Sequence, residues 1–230
     1  MSAHQNTPTV TVAVVYHSLH GHTRVLAEHV AAGARAVPGA EVHLIGLRAE
    51  DVNAGRWRDD EVMALLDRAD AVVFGSPTLM GGVSAVFKAF MEQAFHPFLR
   101  QGWKDKLAGG FTMSASQSGD KMTVLEQLVV FATQMGMPWI GLGDLPGNNW
   151  SGGTRDDINR LGSFLGLMSQ SHGDLDADQA ASRGDLITAE RYGERIATLT
   201  QRWVNAVPFE TVRMTEHEYR ALSASLREAV

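Results

Sequence analysis

The run Val-Thr-Val-Ala-Val-Val-Tyr at residues 10–16, followed directly by His-Ser-Leu-His-Gly-His-Thr at residues 17–23, indicates how this chain folds. The first run is β-branched and almost wholly apolar, which is typical of a central strand buried on both faces. The second run is small and polar, and Thr23 can cap a helix that continues to about Ala36. A buried strand, a polar loop and an amphipathic helix form the first part of a parallel βαβ unit.

The same alternation of strand and helix continues along the chain. Further strands are predicted over residues 42–47, 71–75, 107–113 and 138–142, and helices over residues 61–68, 83–94, 122–135 and 188–204. Strict alternation predicts an α/β fold, in which right-handed crossovers join parallel strands and helices cover both faces of the sheet. Residues 143–187 form a long glycine-rich segment, and residues 208–230 form a charged tail in which 216–227 can be helical.

The composition narrows the range of functions. The chain has 230 residues, of which 44% are apolar, so it can bury one full core. It has no cysteine, which excludes disulfides, thiolate nucleophiles, iron–sulfur clusters and zinc–thiolate sites. The net charge of -6 argues against a nucleic-acid surface. No apolar run can span a bilayer and the first residues lack a secretory pattern, so we expect a cytoplasmic protein without a membrane or nucleic-acid partner.

The loop after the first predicted strand suits a phosphate. In an open parallel sheet, ligands bind outside the carboxyl ends of the strands. Free backbone N–H groups at a helix start attract anions, the hydroxyls of Ser18 and Thr23 add donors, and Gly21 allows close approach. An ordinary capped turn is the alternative. Neither G-x-G-x-x-G nor G-x-x-x-x-G-K-[ST] occurs, so a mononucleotide fits better than NAD or ATP.

Two further loops carry weaker signals. Residues 75–82, Gly-Ser-Pro-Thr-Leu-Met-Gly-Gly, can lie against the edge of a flat ring, although a plain turn is the alternative. Residues 114–120, Ser-Ala-Ser-Gln-Ser-Gly-Asp, carry donors that can stabilise negative charge on a ring, although a simple linker is the alternative.

Two groups of residues resemble metal sites only superficially. The first-loop histidines His17, His20 and His22 have no carboxylate or cysteine nearby, so no metal site is predicted. The alternating aspartates of residues 174–178 lack the glycine and glutamate of a calcium loop, and they predict a solvated acidic turn.

The ordered set of loops resembles a known family, the flavodoxin-like NAD(P)H:quinone oxidoreductases of the tryptophan-repressor-binding-protein (WrbA) and NADPH-dependent FMN reductase type. The match runs from about Val10 to about Gly166. The motifs that carry it are Tyr-His-Ser-Leu-His-Gly-His-Thr at 16–23, Gly-Ser-Pro-Thr at 75–78 and Gly-Met-Pro at 136–138. Weaker matches are Ser-Gly-Gly-Thr at 151–154 and Leu-Gly-Ser at 161–163. The resemblance implies a flavodoxin-like, doubly wound, five-stranded parallel sheet in the order 2-1-3-4-5.

The resemblance also implies non-covalently bound FMN, with NAD(P)H as hydride donor and a quinone as acceptor. It assigns the FMN phosphate to Ser18, His20, Gly21, His22 and Thr23. It assigns the isoalloxazine to Pro77, Thr78, Leu79, Gly81 and Gly82. It assigns the pyrimidine end and the ribityl chain to Ser114, Ala115, Ser116, Gln117 and Gly119. Because the flavin N5 carries the chemistry, no side chain is predicted to act as a catalytic acid or base.

The substrate side departs from the family pattern. Lys121 stands where the family has a glutamate, and it can attract a nucleotide phosphate or be a solvated surface lysine. The family's histidine over the flavin falls near Gln134 and Met135 and is absent, whereas Phe98 takes the place of the family's aromatic residue. These departures leave the electron donor and acceptor open.

The resemblance extends to assembly and to the domain division. By resemblance, the segment 143–187 reaches the flavin of a neighbouring subunit and places Trp150 over that pocket, so a homodimer or homotetramer is expected. We expect a flavodoxin-like FMN-binding domain over residues 1–206, which includes this long segment, and a carboxyl-terminal extension over residues 207–230.

Three functions are compatible with this sequence. The first is an FMN-dependent oxidoreductase. The second is a flavodoxin-type electron carrier, although such carriers bracket the flavin with aromatic rings and here Leu79, Met80 and Gln117 occupy the bracketing loops. The third is a flavin-free scaffold for interactions, which the phosphate-binding loop disfavours.

Overall fold

The computed structural model describes residues 9–206, together with residues 213, 215 and 218. Its centre is a parallel sheet of five strands, β1 Val10–His17, β2 Ala40–Leu47, β5 Ala71–Pro77, β6 Leu107–Ser114 and β7 Leu167–Gln170. A separate two-stranded hairpin is formed by β3 Val52–Asn53 and β4 Arg56–Trp57. The helices are α1 His22–Arg35, α2 Asp60–Arg68, α3 Ala85–Gln93, α4 Phe95–Leu99, α5 Lys121–Gln134, α6 Ala177–Ala180 and α7 Arg183–Val204.

Helices cover both faces of the sheet, as the alternation predicts. The side chains of β1 alternate between two separate core clusters, because successive residues of a strand point to opposite faces. Val12 and Val14 pack in the cluster that includes Val30 of α1 and Ile196 of α7. The neighbouring positions of β1 pack in the cluster that includes Phe90 of α3. Apart from the half-buried Thr11, β1 is therefore buried along its length, and its carboxyl end is held in the middle of the sheet.

The helices α1 and α7 touch through two glycines. A Cβ atom built on Gly33 would lie 1.8 Å from the carbonyl oxygen of Glu190, and one built on Gly193 would lie 1.9 Å from that of Val30. Both distances are far shorter than a van der Waals contact, so only glycine allows this crossing. The close crossing brings the segment before α7 up to the start of α1.

The prediction of a fifth strand over residues 138–142 is wrong. That segment makes a single bridge, between Trp139 and Ala108, and then leaves the sheet at Gly143, which has a φ of 88°. The fifth strand is β7, which pairs with the carboxyl half of β6 from Phe111 to Ser114. With the hairpin strands included in the numbering, the strand order is β2-β1-β5-β6-β7 in place of 2-1-3-4-5. The five strands of the sheet follow one another as predicted, and the correction concerns the segment that supplies the edge strand.

Several predicted boundaries also shift. Thr23 is not the cap of α1, because the helix begins at His22 and Gly21 precedes it with a left-handed φ of 86°. The last helix begins at Arg183 instead of residue 188, since the Ser182 hydroxyl accepts a hydrogen bond from the Asp185 amide. The predicted segment 143–187 accordingly contains β7 and α6. The predicted helix over 216–227 lies outside the described residues, apart from Glu218.

Tyr192 provides a test of this packing. Its buried hydroxyl donates to the Ile140 carbonyl at 2.7 Å and accepts from the Gly110 amide at 3.1 Å, which ties α7 to β6 and to the segment beside it. Tyr192→Phe leaves both backbone groups without a partner, so we expect the free energy of unfolding to fall by about 1–3 kcal/mol. Urea denaturation measures the change.

The matched control for this variant is Tyr16→Phe in the same core cluster. Within residues 9–206, the Tyr16 hydroxyl makes no hydrogen bond, so we expect a change within about 0.5 kcal/mol. Equal losses in the two variants would show that the hydroxyl bonds of Tyr192 do not stabilise the contact between α7 and β6.

Candidate functional site

The carboxyl ends of β1, β5 and β6 open into one cavity of about 490 Å³. This volume lies within the range of roughly 300–1,000 Å³ that is usual for small-molecule sites. Of the predicted site residues, those that line the cavity are Ser18, His20, His22, Thr23, Pro77, Thr78, Leu79, Ser114 and Ala115. The three loops singled out in the sequence therefore meet at one place.

The first loop presents free backbone amides at the start of α1. Gly21 precedes the helix in the left-handed conformation, and no side chain caps it. The Ser18 hydroxyl accepts a hydrogen bond from the Arg24 amide at 3.2 Å. In the described part of the chain, the amides of residues 19–23 donate to no protein acceptor. Free amides at the positive end of a helix dipole attract an anion, so this loop fits a phosphate group.

The second loop is a tight turn of fixed geometry. The amide and carbonyl of Leu79 bond reciprocally to those of Gly82 at 3.0 and 3.1 Å. The two central residues, Met80 and Gly81, have φ values of 50° and 74°, which define a type I′ turn. The turn exposes the Met80 side chain fully and places Leu79 at the cavity. Gly81 and Gly82 shape this turn without lining the cavity.

The base of the second loop is anchored to β6. The Thr78 amide donates to the Met113 carbonyl at 2.9 Å, and the Thr78 hydroxyl lies 2.9 Å from that of Thr112. Ser76 adds a second anchor, because its hydroxyl accepts a hydrogen bond from the Ser84 amide. These hydrogen bonds fix the position of the second loop relative to the third loop, which follows β6.

The third loop is supported from below by Lys121. This lysine is 1% exposed, and its Nζ donates to Ser114 Oγ, to the Ser116 carbonyl and to the Gln117 carbonyl. The structure therefore places Lys121 beneath the loop, neither on a solvated surface nor on the open side of the cavity. Ser116, Gln117 and Gly119 belong to this loop but do not line the cavity.

Sequence reasoning missed a fourth loop, residues 171–177, which follows β7. Its cavity-lining residues are Ser171, Gly173, Leu175, Asp176 and Ala177. The His22 Nε2 lies 3.2 Å from the Leu175 carbonyl, and Arg24 pairs with Asp178 at 3.3 Å. The prediction of a solvated acidic turn is confirmed, because residues 173–174 form a turn and Asp174, Asp176 and Asp178 are all exposed. That this turn borders the cavity was missed, because the sequence predicts the fifth strand elsewhere.

A buried ion pair holds the fourth loop in place. Both carboxylate oxygens of Asp185 accept from the guanidinium of Arg160, at 2.8 and 2.9 Å. The same carboxylate accepts from the Ser169 hydroxyl and from the Gln170 amide, so β7 is fastened to the start of α7. A buried carboxylate needs this number of partners, because an unpaired buried charge is costly.

Two predicted substrate-side residues lie away from the cavity. Phe98 lines a separate groove of about 740 Å³ between α3 and α5. Trp150 is 66% exposed, and its Nε1 donates to the Gly147 carbonyl. In a single chain, neither side chain is brought to the loops after β1, β5 and β6.

His17 is a buried polar residue directly before the first loop. It is 5% exposed, its Nδ1 is unpartnered within the described chain, and burial lowers the pKa of its imidazole. It is therefore neutral at neutral pH. The described part of the chain contains no cluster of three or more histidine, aspartate and glutamate residues arranged for a metal ion. None of its helices has the length and apolar character needed to cross a membrane.

The features of the cavity fit a flat mononucleotide such as FMN. The free amides of the first loop suit its phosphate, and the rigid turn of the second loop suits the edge of a ring. The third loop adds polar groups that are held in place by Lys121.

Proteins that are similar to this chain in sequence and structure include flavodoxins and NAD(P)H dehydrogenases. Flavodoxin FldP of Pseudomonas aeruginosa (strain UCBPP-PA14) is 39% identical over 190 residues, which cover 82% of this chain and 96% of the relative. An NAD(P)H dehydrogenase (quinone) of Solidesulfovibrio magneticus is 29% identical over 206 residues, covering 84% and 98%. A crystal structure of a WrbA-like flavodoxin from Agrobacterium tumefaciens has a TM-score of 0.65 and 37% identity, covering 84% of this chain and 99% of that protein.

A family profile matches the part of the chain that contains most of the sheet and the three loops. The profile of the NADPH-dependent FMN reductases matches residues 10–151, which contain β1 to β6 and all three predicted loops. The chain therefore belongs to the NADPH-dependent FMN reductase family.

Proposed function

We propose that this protein is an FMN-dependent oxidoreductase that passes two electrons from NAD(P)H to a quinone or a similar small acceptor. The observation that carries the proposal is the row of amides at residues 19–23, which have no acceptor among the described residues and belong to a loop that lines the same cavity as the second and third loops. Membership of the FMN reductase family and the relative named NAD(P)H dehydrogenase (quinone) support it. Because NAD(P)H is the proposed donor, a cytoplasmic location is part of the proposal.

The proposed roles of the loops follow from their geometry. The amides of residues 19–23, with Ser18, His20, His22 and Thr23, hold the phosphate. Pro77, Thr78 and Leu79, on the turn shaped by Gly81 and Gly82, lie along the isoalloxazine. Ser114 and Ala115 face its pyrimidine end, while Ser116, Gln117 and Gly119 keep the third loop in shape. When bound, FMN accepts a hydride and passes on its electrons.

The protein's own contribution is to bind FMN, to orient its ring and to leave one face of that ring accessible. Leu79 and Met80 stand at the second loop and Ala115 at the third, so no aromatic side chain of these loops stacks on the ring. A nicotinamide and an acceptor can then occupy the same place in turn. No side chain acts as an acid or base in this scheme.

A test of the phosphate assignment is Ser18→Asp. The new carboxylate can accept the bond that the Arg24 amide now gives to Ser18, so α1 keeps its start, but the added charge repels the phosphate. We expect the dissociation constant of FMN to rise by about 100-fold, which corresponds to roughly 2.7 kcal/mol. Flavin fluorescence quenching measures the affinity.

Ser18→Asn is the matched control, because its amide oxygen accepts the same bond without a charge. Riboflavin, which lacks the phosphate, is the second control and should bind Ser18→Asp and wild type alike. An equal loss of riboflavin affinity would place the phosphate elsewhere.

The second candidate function is an electron carrier, which the 39% identical relative named flavodoxin favours. The two functions differ in their reaction with nicotinamide. We expect NADH or NADPH to bleach the visible band of bound FMN and a benzoquinone to restore it, with parallel lines in double-reciprocal plots because both substrates use one place. A flavoprotein that no reduced nicotinamide can bleach would favour the carrier.

We further propose a homodimer or homotetramer in which Trp150 covers the cavity of a neighbouring subunit. Its exposure, and the fact that it does not line the cavity of its own chain, support this role. We also keep the division into a domain over residues 1–206 and an extension over residues 207–230.

Trp150→Ala tests the assembly. We expect the KM for the acceptor to rise by about tenfold, which corresponds to the free energy of roughly one aromatic contact. The affinity for FMN should stay unchanged. Steady-state kinetics and light scattering provide the measurements. Exposed Trp203 lies on α7, away from the cavity, so Trp203→Ala is the control for loss of a surface tryptophan. A monomeric wild-type enzyme would contradict this arrangement.

A further inference from the structure

Lys121 is a buried cation directly below the third loop. It is the first residue of α5 and is 1% exposed. Its Nζ lies 2.9 Å from Ser114 Oγ, 2.7 Å from the Ser116 carbonyl and 2.8 Å from the Gln117 carbonyl. Its three donors are thus used by three oxygens of one loop, and one of these partners, Ser114, lines the cavity.

The charge of Lys121 is not balanced by a carboxylate. In residues 9–206, Lys121 takes part in no ion pair. Asp185 of α7 attracts it from the neighbouring element, but both oxygens of that carboxylate are already bound to Arg160. Asp120, which precedes it in the chain, is exposed. Burial lowers the pKa of Lys121 to about 8, so the ammonium is charged at neutral pH.

A buried, unbalanced ammonium has a cost that hydrogen bonds to carbonyls only partly offset, because desolvation opposes the charged form. The cost falls when an anion comes close. In the proposed reaction, NAD(P)H gives up a hydride, one proton with two electrons, and leaves as NAD(P)⁺. Bound FMN would carry one more negative charge after accepting this hydride, and Ser114 and Ala115 of the third loop would lie at the end of the ring where that charge develops.

We propose that Lys121 is a positioning residue that makes the third loop bind reduced FMN more tightly than oxidised FMN. It does so in two ways: it holds Ser114, Ser116 and Gln117 in one arrangement, and its charge attracts the added negative charge. The ammonium is itself buried, and the interactions of buried charges are weakly screened. This role rests on the proposed function, because it requires FMN in the cavity.

The test is Lys121→Gln. The glutamine amide keeps an N–H donor for the loop but removes the charge. The dissociation constant of oxidised FMN is measured by fluorescence quenching, and that of reduced FMN follows from the midpoint potential of the bound flavin relative to free FMN. We expect the ratio of the oxidised to the reduced constant to fall by about 10- to 100-fold. Lys121→Arg, which keeps the charge, should restore most of the ratio.

Lys106→Met is the matched control. Lys106 is a partly buried lysine whose Nζ donates to the Asp67 carbonyl at 2.8 Å and to the Ala69 carbonyl, and burial lowers its pKa as well. It precedes β6 at the amino ends of the strands, whereas the cavity lies at their carboxyl ends. We expect Lys106→Met to lose stability but to leave the ratio of the two dissociation constants within about twofold of wild type.

Lys121→Met, which removes both the charge and the donors, separates the two parts of the role. We expect it to lower the ratio as Lys121→Gln does and to weaken oxidised FMN binding further. FMN binding with an unchanged ratio in Lys121→Gln and Lys121→Met would overturn the inference alone. A wild-type protein that binds no FMN in either redox state would overturn the proposed function and the inference together.

Discussion

The site depends on how α1 begins. The helix starts behind a left-handed glycine that provides no side-chain cap, and in the first turn Ser18 accepts only from the Arg24 amide. Within the described residues, the amides of 19–23 have no protein acceptor. An uncapped helix start is unfavourable unless something accepts those bonds, and an anion is the natural acceptor. Because β1 is buried on both faces in the centre of the sheet, the chain cannot move this loop elsewhere. The phosphate-binding character of the loop is therefore a consequence of its place in the fold.

Contacts that lie outside the cavity fix the positions of the other loops relative to this first loop. The glycine contact between α1 and α7 sets the spacing of the two helices. The Asp185 carboxylate, which pairs with Arg160, accepts from Ser169 and Gln170 and so fastens β7 to the start of α7. Together they bring residues 171–177 to the rim of the cavity. On the other side, Thr78 ties the second loop to β6. Four segments that are far apart in the chain thus form one cavity, and no single one of them would bind a mononucleotide.

The error in the fifth strand has a clear physical cause. Residues 138–142 are apolar and short, as a buried strand should be, and they begin beside β6 through the bridge at Trp139. Pro138 has no N–H to donate, and the chain turns away at Gly143. The carboxyl half of β6 then needs another partner, and β7 supplies it after a long excursion. Local periodicity cannot report which segment completes a sheet edge, because that depends on where the intervening chain packs.

The sequence by itself determined the alternating α/β architecture, the buried central strand and the three polar loops that meet at the carboxyl ends of the strands. These features are local, because each is indicated by a few neighbouring residues. The signals are the period of the apolar residues, the positions of glycine and proline, and the residues that begin helices. Only the tertiary structure decided the edge strand, the fourth loop and the burial of Lys121. A lysine after a Ser-rich loop predicts an exposed side chain, yet its environment is set by β6, α7 and the third loop together. Burial and electrostatics depend on contacts between distant parts of the chain, and a linear pattern does not contain those contacts.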